Sequence, residues 1–273
     1  MKPDPVEVGF LHAAKRLIAP DDVVLVACSG GGDSVALLQL LTRLSPKRRP
    51  WLIVAHLDHA MRRGSAADAA FVEALARTLS LPYVGARRSV PRARRKGESP
   101  EEAARRVRRA FLLEAARAHG ASKVALGHTL DDQAETILMR LVRGAGPKAL
   151  TGMRDEGPGP IVRPLLDISR AEIRAWLRRG RIRFKEDPSN RDLRFDRNKV
   201  RRLVVPLLEK RLNPKAQRHI VEGMRRMRDD AEYLDAVAIE AAERIGTNRS
   251  ALARLPRPIA GRVRRIVSRR AGG

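Results

Sequence analysis

The residues with the clearest chemical potential form a run of small and polar side chains, Ser29-Gly30-Gly31-Gly32-Asp33-Ser34. Successive glycines let a backbone turn tightly and bring its N–H groups close to an anion. A buried-strand pattern precedes the run and a helical pattern follows it, so a helix N-terminus is expected to point at the same anion. The hydroxyls of Ser29 and Ser34 add donors. The run therefore predicts a phosphate-binding turn.

Asp33 is an unusual residue for such a turn, because a carboxylate repels phosphate unless a cation lies between them. A Mg²⁺ ion held by Asp33 and by phosphate oxygens would resolve the conflict. The turn is not a Walker A loop, since no Gly-Lys-Ser/Thr follows, and its glycine spacing differs from the dinucleotide-binding fingerprint. A plain glycine-rich connection explains the glycines but not the whole string.

A second polar group, at positions 127–136, reads Gly-His-Thr-Leu-Asp-Asp-Gln-Ala-Glu-Thr. The spacing of Asp131, Asp132 and Glu135 places their carboxylates on one face of a helix. Such a face binds Mg²⁺ or an ammonium group, or takes a proton from an amine. A capping box of Thr129 and Asp132 explains two residues by local structure. It does not explain three carboxylates beside His128, so we expect these residues to act on a substrate.

Two further segments carry candidate ligand-binding side chains. His56, His59 and Arg62 follow the second predicted strand, and open α/β sheets bind ligands at the carboxyl ends of their strands. As isolated residues they are equally well explained as solvated side chains. Residues 186–201 combine a turn-forming Asp-Pro-Ser-Asn with repeated arginines, which either face solvent or grip a phosphate backbone. The candidates in this segment are Asn190, Arg197, Asn198 and Arg201.

Alternating strand and helix signals must position these residues. Continuous apolar runs are typical of strands buried on both faces, and the predicted strands cover residues 23–28, 51–57, 81–86 and 123–126. Helices are predicted to begin at capping boxes of Ser65 with Asp68, Ser99 with Glu102, and Ser169 with Glu172. Residues 87–97 are predicted to form an irregular basic loop. Repeated strand–helix units predict an α/β fold, a parallel sheet with helices on both faces.

A second organisation begins near residue 206. Apolar residues recur at steps of four and three from Ile220 to Ile245, which predicts one long helix with a narrow apolar seam. Packing within a small helical domain is the preferred explanation of the seam, and a homodimeric coiled coil is the alternative. We therefore expect a catalytic domain over residues 1–205 and a small all-α domain over residues 206–273.

The composition limits the partners of the protein. Lys and Arg number 56 against 31 Asp and Glu, which gives a net charge of +25. A charge of this size attracts nucleic acid. The alternative is an arginine-rich composition that serves no binding partner. An aromatic fraction of 3% argues against binding single strands by base stacking. No apolar run approaches the roughly 18 residues of a membrane span. The single cysteine, Cys28, allows no disulfide within the chain and no CxxC metal site, which favours a cytoplasmic location.

Together, these motifs resemble those of the tRNA(Ile)-lysidine synthetases, N-type ATP pyrophosphatases with a Rossmann-like PP-loop fold. The resemblance covers residues 23–214, and residues 186–201 are its most discriminating part. The matching strings are SGGGDS from Ser29, HLDHAMR from His56, EEAARRVR from Glu101, GHTLDDQAET from Gly127, RGAG from Arg143, RPLLDISR from Arg163 and EDPSNRDLRFDRNKVR from Glu186. The first and fourth strings are shared with other ATP pyrophosphatases that act on tRNA.

The resemblance implies a two-step reaction. ATP adenylates the C2 oxygen of the wobble cytidine in the CAU anticodon of tRNA(Ile), and the ε-amine of free L-lysine then displaces AMP. It implies that residues 29–34, His56 and His59 bind ATP, and that Asp33 holds Mg²⁺. The implied catalytic residues are Asp33, Arg105, His128, Asp131, Asp132 and Glu135. The implied tRNA contacts are Arg62, Arg163, Asn190, Arg197, Asn198, Arg201 and the C-terminal helical domain.

Three other classes of function fit parts of the pattern. A tRNA thiolation enzyme uses the same turn, but many such enzymes need CxxC pairs or a catalytic cysteine far from the turn, which Cys28 does not provide. An inactive tRNA-binding protein would not need its carboxylates intact. A synthetase of the amidotransferase type that acts on a small molecule would not need a charge of +25.

Overall fold

The computed structural model describes residues 4–60, 64–186, 192–246 and 248–271. In this part of the chain, strands form one parallel sheet in the order β3-β2-β1-β4-β5. The strands are β1 Val23–Ala27, β2 Trp51–Asp58, β3 Tyr83–Arg87, β4 Lys123–Ala125 and β5 Ile161–Val162. The central strand β1 pairs with β2 on one side and with β4 on the other.

Helices connect and follow the strands. The first group is α1 Pro5–Leu17, α2 Gly32–Thr42, α3 Ser65–Thr78, α4 Val90–Ala93, α5 Pro100–Ala118, α6 Leu130–Val142, α7 Pro147–Leu150, α8 Arg170–Arg179 and α9 Asp196–Lys199. A π-helical turn, Val200–Val204, is followed by α10 Val205–Arg211, α11 Ala216–Ile245, α12 Arg249–Ala253 and α13 Arg257–Ala271.

The chain divides into two compact units. Unit 1 comprises Met1–Gln133 and Met153–Lys199, and unit 2 comprises Ala134–Gly152 and Val200–Gly273. The division falls within α6, between Gln133 and Ala134.

The sheet of unit 1 is covered by helices on both faces, as the sequence predicts. Because successive side chains of a strand point to opposite faces, Val24 and Val26 of β1 join a different core cluster from Leu25 between them. Helices α1, α2, α3 and α8 pack on the strands in the first cluster, and α5 is the main helix of the second. All three β1 residues are fully buried, which explains the unbroken apolar run in the sequence.

Unit 2 is helical. The C-terminal half of the apolar seam of α11, represented by Ala238 and Ala241, packs in one cluster with Ile259 and Val263 of α13. The small alanine side chains let the two helices approach closely. This packing is the intramolecular arrangement preferred for the seam.

The local start signals are correct at two helices and wrong at a third. Capping boxes form at Ser99 and Ser169, each with the glutamate three residues on. The capping box predicted for Ser65 is wrong, because Gly64, with φ of 92°, occupies the N-cap position and no side chain caps the helix. The hydroxyl of Ser65 bonds the carboxylate of Asp58 instead.

The irregular loop predicted for residues 87–97 is also partly wrong. Strand β3 extends to Arg87, and Val90–Ala93 forms the short helix α4. Val90 is 1% exposed and packs with the cluster that contains α5, which explains why this basic segment takes a regular form. Among the described residues, no helix combines the length and apolar character needed to cross a membrane.

Candidate active site

The phosphate-binding turn predicted at residues 29–34 connects β1 to α2. Gly30 has φ of 85°, and a Cβ atom there would lie 3.3 Å from side-chain atoms of both Phe71 and Val72, so the turn requires glycine at this position. The backbone of Gly30 accepts a hydrogen bond from Lys185 N–H at 2.8 Å. This contact fixes the turn against the segment that follows α8.

The N-terminus of α2 is open to an anion. Gly31 is the N-cap residue and no side chain of the described residues caps the helix. Backbone N–H groups in the first turn of a helix lack acceptors within the helix, and together with the helix dipole they favour an anion. The turn therefore has the construction of a phosphate cradle, and its binding of phosphate stays a prediction.

The two serines of the turn organise its backbone. The hydroxyl of Ser34 donates to Gly31 C=O at 2.9 Å and accepts from Ser29 N–H at 3.1 Å. The hydroxyl of Ser29 lies 3.2 Å from that of Ser34. Both side chains thus have partners inside the turn, so their first role is to hold its shape.

The turn meets the second predicted motif, residues 127–136, where the order of the strands reverses. The chain winds outward from β1 through β2 to β3 and then returns to place β4 on the other side of β1. Ligands of open α/β sheets bind at such a switch point, beyond the carboxyl ends of the strands. Gly127, after β4, comes so close to the turn that a Cβ atom would lie 3.0 Å from the carbonyl oxygen of Asp33.

Arg170, the first residue of α8, gathers three carboxylates at this point. Its Nε donates to Asp33 Oδ2 at 3.1 Å and its Nη2 to Asp132 Oδ1 at 3.1 Å. Its Nη1 lies 3.7 Å from Asp131 Oδ1, and its backbone N–H donates to Asp131 Oδ2 at 2.7 Å. Sequence reasoning included Arg170 in a family string but gave it no role.

Asp33 and Asp132 respond differently to this environment. Burial raises the pKa of Asp33, and the charges of Asp132 and Asp131 reinforce the rise against the opposing effect of Arg170. Burial also acts to raise the pKa of Asp132, but Arg197 and Arg170 outweigh it and hold the pKa well below its usual range. Asp132 is therefore firmly ionised, whereas Asp33 is the carboxylate whose charge is less favoured.

The oxygens of these carboxylates are not equally available. Asp132 Oδ1 accepts from both Arg170 and Arg197, and Oδ2 accepts from the N–H and the hydroxyl of Thr129. In contrast, Asp33 Oδ1 and Asp131 Oδ1 accept no hydrogen bond from the described residues. These two oxygens are therefore the better placed to accept a hydrogen bond from a ligand, although Asp131 Oδ1 also lies 3.7 Å from Arg170 Nη1.

His128 is held as a neutral ring. Arg163 Nε donates to His128 Nδ1 at 3.1 Å, and since a guanidinium only donates, Nδ1 carries a lone pair and Nε2 carries the hydrogen. Burial lowers the pKa of His128 to about 3, against the attraction of Asp132, and the charges of Arg108 and Arg163 add to the decrease. His128 thus suits donation of a hydrogen bond through Nε2.

Arginines of α5 extend the positive charge around His128. Arg105 and Arg109 are exposed, and their charges act on Arg163, whose pKa is lowered mainly by burial. The charge of Arg108 acts on both His59 and His128. Arg105 was predicted from the family resemblance, whereas Arg108 was not, because nothing in its local sequence distinguishes it from other helical arginines.

Of the predicted nucleotide-binding histidines, His56 lies within β2 and His59 directly follows it. His56 is 5% exposed and its Nδ1 lies 2.8 Å from Cys28 C=O, so it fastens β2 to the start of the turn. His59 Nδ1 is buried with no hydrogen-bond partner among the described residues. Burial lowers the pKa of His59 to about 4, with smaller contributions from Arg108 and His56. A buried, unpaired imidazole nitrogen beside the turn is a candidate ligand contact.

The remaining predicted residues are dispersed. Arg197 Nη2 donates to Asp132 at 2.8 Å, and the buried Asn198 donates to Asp192 C=O at 2.9 Å. In unit 2, Arg201 forms two hydrogen bonds to Glu135, at 2.6 and 3.0 Å, and Glu135 is 1% exposed. The other two predicted residues, Arg62 and Asn190, lie outside the described residues.

The carboxylates suit a metal that shares its ligands with a substrate. Among the described residues no three acidic, histidine or cysteine side chains converge as a cage for a metal. Mg²⁺ does not need such a cage, because it is commonly held by one or two carboxylates together with substrate phosphates and water. Asp33, with one free oxygen beside the phosphate-binding turn, fits that mode.

The fold and this site define a class of protein. A glycine-rich, uncapped helix start at the switch point of a parallel sheet, with acidic residues facing it, is a nucleotide-phosphate site built without a Walker lysine. The sequence model of the PP-loop domain family matches residues 6–208. Within that class, curated tRNA(Ile)-lysidine synthases match most of the chain, and the chain belongs to their family.

The individual comparisons support this assignment. The chain is 37% identical over 281 residues to the tRNA(Ile)-lysidine synthase of Thermobifida fusca, covering 100% of this chain and 86% of that protein. It is 44% identical over 241 residues to the synthase of Geobacter sulfurreducens, covering 87% of this chain and 51% of the relative. The synthase of Thermus thermophilus is 47% identical over 202 residues, which cover 74% of this chain and 38% of the relative. The chain thus spans about half the length, or less, of the last two relatives.

A solved structure supports the fold alone. The U34-tRNA thiolase NcsA of Methanococcus maripaludis superposes with a TM-score of 0.68 at 17% identity, covering 81% of this chain and 78% of that one. At this identity the likeness carries no information on the reaction.

Proposed function

We propose that this protein ligates L-lysine to C2 of the wobble cytidine of a tRNA(Ile) with a CAU anticodon. ATP first adenylates the C2 oxygen and releases pyrophosphate, and the ε-amine of lysine then attacks C2 and displaces AMP. The observation that carries the proposal is the junction of the open α2 N-terminus with the carboxylates gathered by Arg170. It offers an anion site and a cation site side by side.

The anion site accounts for the first step. The N–H groups of the turn and of the first turn of α2 would hold the phosphates of ATP and stabilise charge on the departing pyrophosphate. Mg²⁺, when bound by Asp33 and the phosphates, supplies further neutralisation of that charge. The raised pKa of Asp33 agrees with this role, because an ion bound there would favour the carboxylate form.

The Oδ1 atom of Asp131, which accepts no hydrogen bond from the described residues, accounts for recognition of the amine. Asp132 is saturated by Arg170, Arg197 and Thr129, so we assign it the task of holding the site's geometry. Asp131 Oδ1 is left to accept a hydrogen bond from the ε-ammonium of lysine. The assignment of Glu135 as a further catalytic group stays a prediction from the family resemblance.

His128 and the arginines around it would receive the tRNA. The neutral ring of His128 can donate to a cytidine or phosphate oxygen, and Arg105 and Arg163 supply fixed positive charge next to it. We propose that the all-α segment, residues 206–273, binds the body of the tRNA, and that the reaction takes place in the cytoplasm, where ATP, tRNA and free lysine meet. Thiolation remains the alternative, but Cys28, the single cysteine, is buried with a raised pKa, which makes it a poor sulfur carrier.

The proposal is tested by leaving out one component at a time. Purified protein, ATP, Mg²⁺, lysine and a tRNA(Ile) transcript with a CAU anticodon are combined, and pyrophosphate release and attachment of radiolabelled lysine are measured. We expect lysine attachment only in the full mixture. Release that needs the tRNA but attaches no lysine would contradict lysine ligation and indicate a different nucleophile.

Asp33→Asn tests the role of the turn. The amide keeps the shape of the side chain and can still accept from Arg170, but it loses the charge needed for Mg²⁺. We expect pyrophosphate release to fall about 100-fold or more, with tRNA affinity within about twofold, since the charge lost is small beside +25. An equal loss of release and binding would argue against this role.

A further inference from the structure

The basic segment that the function above leaves unexplained is an ordered surface. Residues 87–97 contain six cationic side chains and no acidic one. Arg87 lies 3.4 Å from Asp58 and Arg88 lies 2.5 Å from Glu114, so these two are neutralised locally. The other four, at positions 92, 94, 95 and 96, are exposed and form no salt bridge with an acidic side chain of the described residues.

An ion pair holds this exposed group, here called the basic turn (residues 92–96), against α5. Arg106 donates through Nε and Nη2 to both carboxylate oxygens of Glu98, each at 2.8 Å, and through Nη2 to Ala93 C=O at 2.7 Å. Glu98 in turn accepts from Arg95 N–H at 3.1 Å. Glu98 thus anchors the basic turn, and Arg94 Nε adds a hydrogen bond to Glu98 C=O at 2.6 Å, while all four cationic side chains of the turn are exposed.

The basic turn lies beyond the carboxyl end of a strand, on the side of the sheet where ligands of open α/β folds bind. It follows β3, and Val90 N–H at its base donates to His59 C=O at 3.2 Å. Arg106 of the anchor is adjacent in α5 to Arg105, which belongs to the arginines around His128. Helix α5 therefore both supports the basic turn, through Arg106, and carries Arg105, whose charge acts on Arg163 of the candidate site.

We propose that the basic turn binds the sugar–phosphate backbone of the tRNA. This inference rests on the proposed function. Four exposed cations that form no salt bridge within the described residues match a polyanion, and holding them in place before binding reduces the entropy lost on association. No aromatic residue lies in the segment, so it reads no base. The surface contributes affinity and salt dependence but no sequence preference.

The test compares two variants of equal charge. Arg92→Gln with Arg95→Gln and Lys96→Gln removes three charges from the basic turn. The control, Lys47→Gln with Arg48→Gln and Arg49→Gln, removes three exposed positive charges. These residues precede β2 and so lie at the amino end of that strand, whereas the basic turn follows the carboxyl end of β3. Affinity for the tRNA(Ile) transcript and for an unrelated tRNA is measured over a series of KCl concentrations, together with lysine transfer at saturating tRNA.

We expect the basic-turn variant to lose at least about tenfold in affinity for both tRNAs and to reduce the salt slope by about two to three. The control variant should stay within about twofold, and lysine transfer at saturating tRNA should be unchanged in both. Equal losses in the two variants, or no loss in the first, would overturn the proposal. Loss of binding to anionic lipid vesicles without loss of tRNA binding would overturn it in favour of a membrane surface.

Glu98→Gln separates rigid display from charge alone. This variant keeps all the cations but weakens the anchor, so we expect a loss of about threefold in affinity with an unchanged salt slope. An unchanged affinity would show that the anchor is not needed and would overturn this part of the inference. If the parent protein binds tRNA but transfers no lysine, the proposed function is refuted. The salt dependence of tRNA binding in the variants would then still decide the role of the basic turn.

Discussion

At the scale of single residues, Arg170 decides whether the candidate site holds together. Its side chain is 15% exposed and contacts Asp33, Asp131 and Asp132, which would otherwise repel one another. Removing one partner from a mostly buried ion pair leaves uncompensated charge. We expect Arg170→Ala to lower the free energy of unfolding by about 2–4 kcal/mol in urea titrations at neutral pH.

A second substitution distinguishes repulsion from simple loss of packing. Asp33→Asn in the Arg170→Ala background removes one of the repelling charges, the one least favoured by its surroundings, so it should restore part of the lost stability. A double variant less stable than Arg170→Ala would contradict the electrostatic explanation. Arg170→Lys should lie between the parent and the alanine variant, since a single ammonium cannot reach three carboxylates in the planar geometry of a guanidinium.

His128 and His59 predict a dependence of stability on pH. Burial lowers both pKa values in the folded protein, to about 3 and about 4 respectively. The unfolded chain therefore takes up protons below about pH 6.5, where the folded protein does not, so stability is complete above that pH and falls as the pH decreases. We expect a loss of roughly 1–2 kcal/mol between pH 7 and pH 5.5, measured by urea unfolding.

His128→Gln is the control for this pH dependence. It keeps a polar side chain that can accept from Arg163 but removes the titrating group, so the loss of stability between the two pH values should become smaller. An unchanged dependence would assign the effect to His59 or to other groups.

Arg170 shows why the sequence alone did not predict every residue of the candidate site. Its contact with Asp33 joins positions 137 residues apart, and its contact with Asp132 spans 38 residues. Neither spacing leaves a local pattern, whereas the glycine turn and the capping residues act on their own neighbours. The sequence therefore identified the carboxylates but not the cation that gathers them.

At the scale of elements, the close approach of β4 to α2 sets the distance between the two motifs. A Cβ atom at Gly127 would meet backbone atoms of Asp33 at 3.0 and 3.1 Å and Ser34 Cα at 3.2 Å, and backbone cannot move aside as a flexible side chain can. We expect Gly127→Ala to cost about 1–3 kcal/mol of stability and to reduce pyrophosphate release more than tenfold. Thermal unfolding and the release assay measure the two effects.

Gly223→Ala is the matched control for that substitution. Gly223 lies inside α11 with nothing near the position of a Cβ atom, so alanine should leave stability unchanged or raise it by up to about 1 kcal/mol. A similar loss in both variants would mean that the cost at Gly127 does not come from its contact with the turn.

The elements that could be predicted are those with local causes. The buried strands, the capping boxes at Ser99 and Ser169 and the long helix α11 follow from residue patterns over a few turns. The start of α3 was wrong because Ser65 had a tertiary partner, Asp58, that a local pattern does not reveal. The helix α4 was missed because its stability comes from burying Val90 against the α5 cluster.

At the scale of the whole molecule, the net charge of +25 acts in two opposite directions. It attracts a polyanion over long distances, and it makes the free protein repel itself. Salt screens both interactions, because the Debye length falls from about 30 Å at 0.01 M to about 8 Å at physiological ionic strength. Salt should therefore stabilise the free protein under the same conditions in which it weakens tRNA binding.

We expect the melting temperature of the free protein to rise by a few degrees between about 50 and about 500 mM KCl, while its affinity for tRNA falls by about 10³ or more. Differential scanning fluorimetry and binding titrations in the same buffers measure the two trends. The variant with glutamine at positions 47, 48 and 49 has three fewer positive charges, all of them outside the candidate site. Its melting temperature should therefore rise less with salt than that of the parent. A melting temperature that falls with salt would show that attractive ion pairs such as those of Arg170 outweigh the excess positive charge.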